Sequence, residues 1–135
     1  MIKIICGPKG FGKTKMIIDE ANGAVNNAKG HVVFINDTNR YMYDLVREIR
    51  VIDTKDFQIA GEDTLIGFIK GIIACNSDTQ YIFLDGAARI AGKPLNEMAA
   101  FFYMLDKLAS DNNLTVTLTA SCEKNELPDF IAKYL

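Results

Sequence analysis

The chain has 135 residues, 49% of them hydrophobic, and its fifteen basic and seventeen acidic residues give a formal charge of -2. That is the size of one compact domain with apolar material for one core. The near-balance of charge excludes an electrostatic argument for nucleic acid or for an acidic membrane surface as partner.

In chain order, "IKIIC" at 2–6 predicts a strand. Residues 13 to about 28 predict a helix, with Ile17, Ala21, Ala24, Val25 and Ala28 on one face at 3.6 spacing and Gly30 as its stop. "HVVFIN" from His31 is a continuous β-branched and aromatic run, hence a buried strand. Asp37 to Arg40 reads as a turn, followed by a short helix around 40–48 and a brief strand at "RVID".

Asp63 is placed to cap the next helix, whose face carries Leu65, Phe68, Ile69, Ile72 and Ile73. "YIFL" at 81–84 is a further buried strand ending at Asp85. Pro94 suits a first helical turn, and Met98, Ala99, Phe102, Leu105 and Ala109 line the helix that follows. Phe101, Met104 and Leu108 make that helix apolar nearly all round, so it is either deeply packed or meets a partner, a second copy included. "LTVTL" at 114–118 is a strand whose threonines suggest one polar face, which fits poorly with a central position. Pro128 begins a last short helix.

Strands thus alternate with helices. The pattern predicts an α/β fold: a three-layer sandwich with a central, mostly parallel sheet of about five strands and right-handed crossovers, in a single domain over 1–135. Ligands of such sheets bind beyond the carboxyl ends of the strands. No run approaches the roughly 20 apolar residues that span a bilayer, and Met1 to Cys6 is too short for the apolar core of a leader. The expectation is a soluble, cytoplasmic protein. Cys6, Cys75 and Cys122 show no CxxC spacing and share the chain with one histidine, His31, so a zinc site is not expected. Their apolar flanks suggest small buried residues in a reducing compartment.

The chemistry is concentrated in "GPKGFGKT", Gly7 to Thr14, which fits G-x-x-x-x-G-K-[ST] at every fixed position between a strand and a helix. Gly7, Gly10 and Gly12 permit positive φ and a close approach of backbone to an anion. Pro8, Lys9, Phe11 and Lys15 complete the segment expected to surround the phosphates, and the helix N-terminus adds its positive end. In such a loop Lys13 reaches the β- and γ-phosphates and the Thr14 hydroxyl ligates Mg²⁺. Asp85, at the carboxyl end of "YIFL", is the second expected Mg²⁺ contact, through water. The implied cofactors are ATP and Mg²⁺.

With these segments together, "GPKGFGKT", "VVFINDTNRYMYDL", "YIFLDGAARI" and "TVTLTAS", the chain resembles the RecA-like branch of P-loop ATPases over nearly its whole length. It is also similar to small bacterial ATP-binding proteins of like length, some labelled twitching-motility ATPases. The resemblance implies that the last strand inserts between the first strand and the strand ending at Asp85. It implies a water-activating Glu just past the second strand and a polar phosphate sensor past the final one. Those positions fall on Thr38 and Ser121. Thr38 cannot act as a general base, and Gly86 occupies the other usual position, directly after Asp85. Asp37, beside Thr38, is the substitute carboxylate. Loss of a general base typically slows a reaction on the order of 10²–10⁴-fold, so weak or partner-dependent hydrolysis is expected.

Arg40 and Arg89 are the arginines near carboxyl ends of strands, as charge stabilisers or as solvated surface groups. Tyr41, Met42 and Tyr43 either pack a short helix or flank a nucleotide or partner. His31 reads as structural, and no Ser-His-Asp set is discernible. The leading expectation is an ATP-binding switch or regulatory module. The alternatives are a small-molecule kinase and a non-hydrolysing scaffold. Thymidine kinases of the RecA-like type share the "GP…GKT" opening and a segment like "DTNRY". They carry a zinc-bearing lid and an acidic base after the Asp85-equivalent strand, both lacking here. No N/TKxD-type reader of guanine appears.

Overall fold

The computed structural model describes residues 1–135, the side chain of Lys124 excepted. Five strands, β1 (Ile2–Gly7), β2 (His31–Asn36), β3 (Ile49–Asp53), β4 (Thr79–Leu84) and β5 (Thr115–Ser121), form one sheet in the order β1-β5-β4-β2-β3. Every pairing is parallel. The last strand therefore lies between β1 and β4. Helices α1 (Lys13–Ala24), α2 (Glu62–Cys75), α3 (Ala87–Ala91), α4 (Ala99–Asp111) and α5 (Asp129–Ala132) flank it. This is the expected α/β sandwich with a parallel sheet.

Strand periodicity divides the core into two layers. Val32, Phe34 and Phe83 face α1 and pack with Ile17, Ile18 and Ala21. Their neighbours Val33, Ile35, Ile82 and Leu84 point the other way, against Leu65 and Ile69 of α2 and Phe101, Phe102 and Leu105 of α4. The continuous apolar runs of β2 and β4 follow from this, because both faces of each strand are buried. Each fully buried Ile, Leu or Phe contributes about 1.5–3 kcal/mol.

Strand β5 resolves the threonine question. Val116, Leu118 and Ala120 enter the layer of α2 and α4, whereas Thr117 and Thr119 lie on the α1 face and are buried. The strand is central, and its alternation marks a polar line inside the protein. Helix α4 packs one side into the core: Phe101, Phe102, Leu105 and Ala109 are buried, as is Met98 just before it, Met104 and Leu108 are half-buried, and Tyr103 on the other side is exposed.

Several local expectations are corrected. Helix α1 ends at Ala24, because Asn26 and Asn27 close turns onto Gly23 and Ala24. Gly30 does not stop it. Gly30 is there because a Cβ would collide with the carbonyl of Asp78, which accepts from the His31 N–H at 3.0 Å. The helix expected at 40–48 is one 3-10 turn, Met42–Asp44. The Asn22 side chain takes the backbone groups that a helix would use, donating to the Asp44 carbonyl and accepting from the Val46 N–H, both at 2.9 Å.

Asp63 does not cap α2. Gly61 does, and Asp63 sits in the first turn, where its charge favours the helix dipole. Pro94 precedes a 3-10 turn, Leu95–Glu97, rather than α4 itself. The short α3, bracketed by Gly86 and Gly92 in the left-handed conformation, was not expected. Cys75 is exposed and Cys6 and Cys122 are half-buried, so none is the fully buried residue anticipated. Among the described residues no helix is long and apolar enough to cross a membrane.

Candidate functional site

The chain leaves β1 at Gly7 and enters α1 at Lys13. Between them Gly10 and Gly12 have φ of 87° and 90°, the left-handed region that favours glycine. Gly7 is different. It is extended, and its requirement is space, since a Cβ would lie 2.7 Å from the Phe11 ring. Phe11, itself 55% exposed, lies over Gly7, and its N–H donates to the Pro8 carbonyl at 3.1 Å. The Lys13 Nζ donates to the same carbonyl at 2.9 Å, which folds this buried lysine back across the loop. Helix α1 opens on Gly12 with no side-chain cap, so its first amides have no side-chain acceptor at the cap.

Beneath the loop stands Asp85, 2% exposed, at the carboxyl end of β4. Its N–H donates to the Ile35 carbonyl of β2 at 2.9 Å, which fixes its height. Three neutral side chains donate to the carboxylate. Thr14 Oγ1 donates to Oδ2 at 3.0 Å, Asn36 Nδ2 to Oδ2 at 3.3 Å and Thr119 Oγ1 to Oδ1 at 2.6 Å. Thr119 in turn accepts from the Gly86 N–H at 3.1 Å.

A cavity of about 320 Å³ opens above this cluster. Lys9, Lys13, Thr14, Asp85, Arg89 and Ser121 are among its lining residues. Lys9, Lys13, Thr14, Asp85 and Ser121, expected at one site from the sequence, thus meet there. Pro8 and Phe11 shape the loop from outside, and Lys15 points away into an ion pair with Asp19 at 3.1 Å. Lys15, Tyr41 and Asp44 line a second cavity of about 560 Å³ that shares Gly12 and Thr14 with the first.

Asp37 and Arg89 are joined. Arg89 Nε and Nη2 donate to the two carboxylate oxygens at 3.0 and 3.1 Å. The guanidinium holds the Asp37 carboxyl below its usual range, against the opposing effect of partial burial. Asp37 raises Arg89 in return. Arg40 stays outside the cavity, with its guanidinium 5.5 Å from the centre of the Tyr41 ring. Thr38 uses its hydroxyl to accept from the Arg40 N–H at 3.1 Å.

No protein-family model matches the sequence, and no curated protein matches it significantly.

Sequence reasoning missed Asn36 and Thr119, the two residues that hold Asp85 from either side. The available signal was a polar residue at or near the carboxyl end of an otherwise buried strand. The donors near the loop fit Mg²⁺, since the Thr14 hydroxyl and the Asp85 carboxylate are hard oxygen ligands side by side. Among the described residues no group of three or more His, Cys, Asp or Glu could hold a metal. An ion here would therefore take its remaining ligands from water and a bound anion. A larger cavity, about 580 Å³, lies between β3 and α2. Val33, Ile52, Phe57, Phe68 and Ile72 line it, and no carboxylate or hydroxyl group does.

Proposed function

We propose that this chain binds ATP with Mg²⁺ at the Gly7–Thr14 loop, hydrolyses it slowly or with the help of a partner, and acts as a nucleotide-dependent switch. The observation that carries the reading is the Thr14–Asp85 contact of 3.0 Å. It joins a loop of the full G-x-x-x-x-G-K-[ST] pattern to a buried carboxylate on a different strand. A glycine turn without a ligand requires neither the lysine nor that carboxylate. The position of β5 between β1 and β4 supports a RecA-like P-loop topology for the sheet.

In this reading the backbone amides from Gly10 to Thr14 receive the phosphates at the helix N-terminus. Lys13 exchanges the Pro8 carbonyl for β- and γ-phosphate oxygens. Thr14 and Asp85 would hold the metal, while Asn36 and Thr119 keep Asp85 oriented. Bound Mg²⁺ supplies charge neutralisation on the phosphates. Ser121 offers a hydroxyl from the end of β5 toward the terminal phosphate. The adjoining cavity beside Tyr41 takes the nucleoside, with the aromatic ring as a stacking surface.

Slow hydrolysis is supported by Asp37, the carboxylate nearest the expected base position. Its pairing with Arg89 lowers its basicity. Mg·ATP at millimolar concentration is expected to raise the melting temperature, and Lys13→Ala to abolish the rise. No rise in the wild-type chain would overturn the reading.

A further inference from the structure

The two half-buried thiols at the root of the loop have no part in the reading above. Cys6 is the residue before Gly7, and Cys122 the residue after Ser121. Their sulfurs lie 3.3 Å apart, and Cys6 Sγ is also 3.5 Å from the Cys122 carbonyl. This meeting is built into the sheet. Cys6 pairs with Ala120 and Gly7 with Ser121 in the β1–β5 register, and the Cys122 N–H donates to the Gly7 carbonyl at 3.1 Å. The third thiol, Cys75, is exposed on α2 and serves as an internal reference.

A disulfide requires sulfurs at about 2.05 Å. The pair must close by little more than an ångström. We propose that Cys6 and Cys122 are a modification site: a dithiol that closes to an intramolecular disulfide by exchange with a low-molecular-weight disulfide such as glutathione disulfide, and reopens with excess thiol.

In the first step the Cys6 thiolate attacks one sulfur of the small disulfide. That S–S bond breaks, one small thiolate leaves and takes a proton, and Cys6 carries a mixed disulfide. In the second step the Cys122 sulfur gives up its proton to solvent and attacks the Cys6 sulfur, releasing the second small thiol. Two protein thiols are oxidised and one small disulfide is reduced.

The order of attack follows from the surroundings. Burial and the adjacent Cys6 push the Cys122 thiol up to about 12, so Cys122 keeps its proton while Cys6 is free. With Cys6 capped, Cys122 is the sulfur in reach of the mixed disulfide and acts as the resolving thiol. The bond would staple the residue before the loop to the residue after Ser121, which lines the loop cavity. The inference does not rest on nucleotide binding, because the pairing is read directly.

The test uses the full chain, equilibrated at glutathione ratios from fully reduced to fully oxidised, then acid-quenched, alkylated and mapped by mass spectrometry. Cys6 and Cys122 are expected to lose alkylation together and to appear as one linked peptide pair, with Cys75 outside the link. Cys75→Ser should leave that pairing intact, and Cys122→Ser should trap glutathione on Cys6. The proposal is overturned if Cys6 and Cys122 stay alkylatable at the most oxidising ratio. Separate glutathione adducts on the two residues in the wild-type chain, or a dominant link to Cys75, would overturn it equally.

Discussion

Arg89, which lines the loop cavity, grips Asp37 with two hydrogen bonds of 3.0 and 3.1 Å, tying the segment after β2 to α3. The Arg89 side chain is 57% exposed and that of Asp37 22%. A bidentate pair in that setting contributes up to about 1 kcal/mol. Arg89 lowers the Asp37 pKa in the folded state. Its contribution is therefore complete above the unfolded value near 3.9 and lost as pH falls through the folded value. Urea unfolding of Asp37→Asn against wild type should show a constant deficit from pH 7 to about 5, closing below about pH 4. A deficit that does not change with pH would mean that the pair carries no such linkage.

Thr119 supports Asp85 from below, and its hydroxyl is committed in both directions, to Asp85 Oδ1 and from the Gly86 N–H. Thr119→Val keeps the shape and removes the hydroxyl, leaving a buried N–H and a carboxylate oxygen without that partner. The expected loss is about 1–3 kcal/mol in denaturant unfolding, with Thr119→Ser close to wild type. A valine variant as stable as wild type would show that the hydroxyl is dispensable.

Gly7 is required by a ring rather than by its own dihedral angles. Gly7→Ala places a methyl group 2.7 Å from Phe11 and should cost about 1–3 kcal/mol. Phe11→Ala in the same chain should recover most of that loss, because the two changes share one contact. Strictly additive effects in the double variant would refute the contact.

Much of the architecture is legible in the residues. "HVVFIN" and "YIFL" are apolar on both faces because each strand lies between two helical layers, and parallel order follows from the alternation of elements. The loop is legible for a different reason: the G-x-x-x-x-G-K-[ST] pattern fixes four positions over eight residues. The single 3-10 turn at Met42–Asp44 is not legible, since Asn22, twenty-two residues before Asp44, decides it through hydrogen bonds to the backbone. Thr119 and Asn36 reach Asp85 from separate strands, and the Asp37–Arg89 pair spans 52 positions. Such pairings follow from strand order, which local pattern does not specify. Cys6 and Cys122 each sit beside apolar residues in sequence, and only the β1–β5 register brings them together.

The most direct test of nucleotide binding at the loop is a two-dimensional amide NMR titration of the full chain with Mg·ATP. The expected result is large, saturable shifts at Gly10, Gly12, Lys13, Thr14 and Lys15, with smaller ones at Gly86 and Ser121, and their loss in Lys13→Ala. Unchanged loop amides at millimolar Mg·ATP, or shifts gathered instead around Val33, Ile52 and Phe68 beside α2, would contradict it.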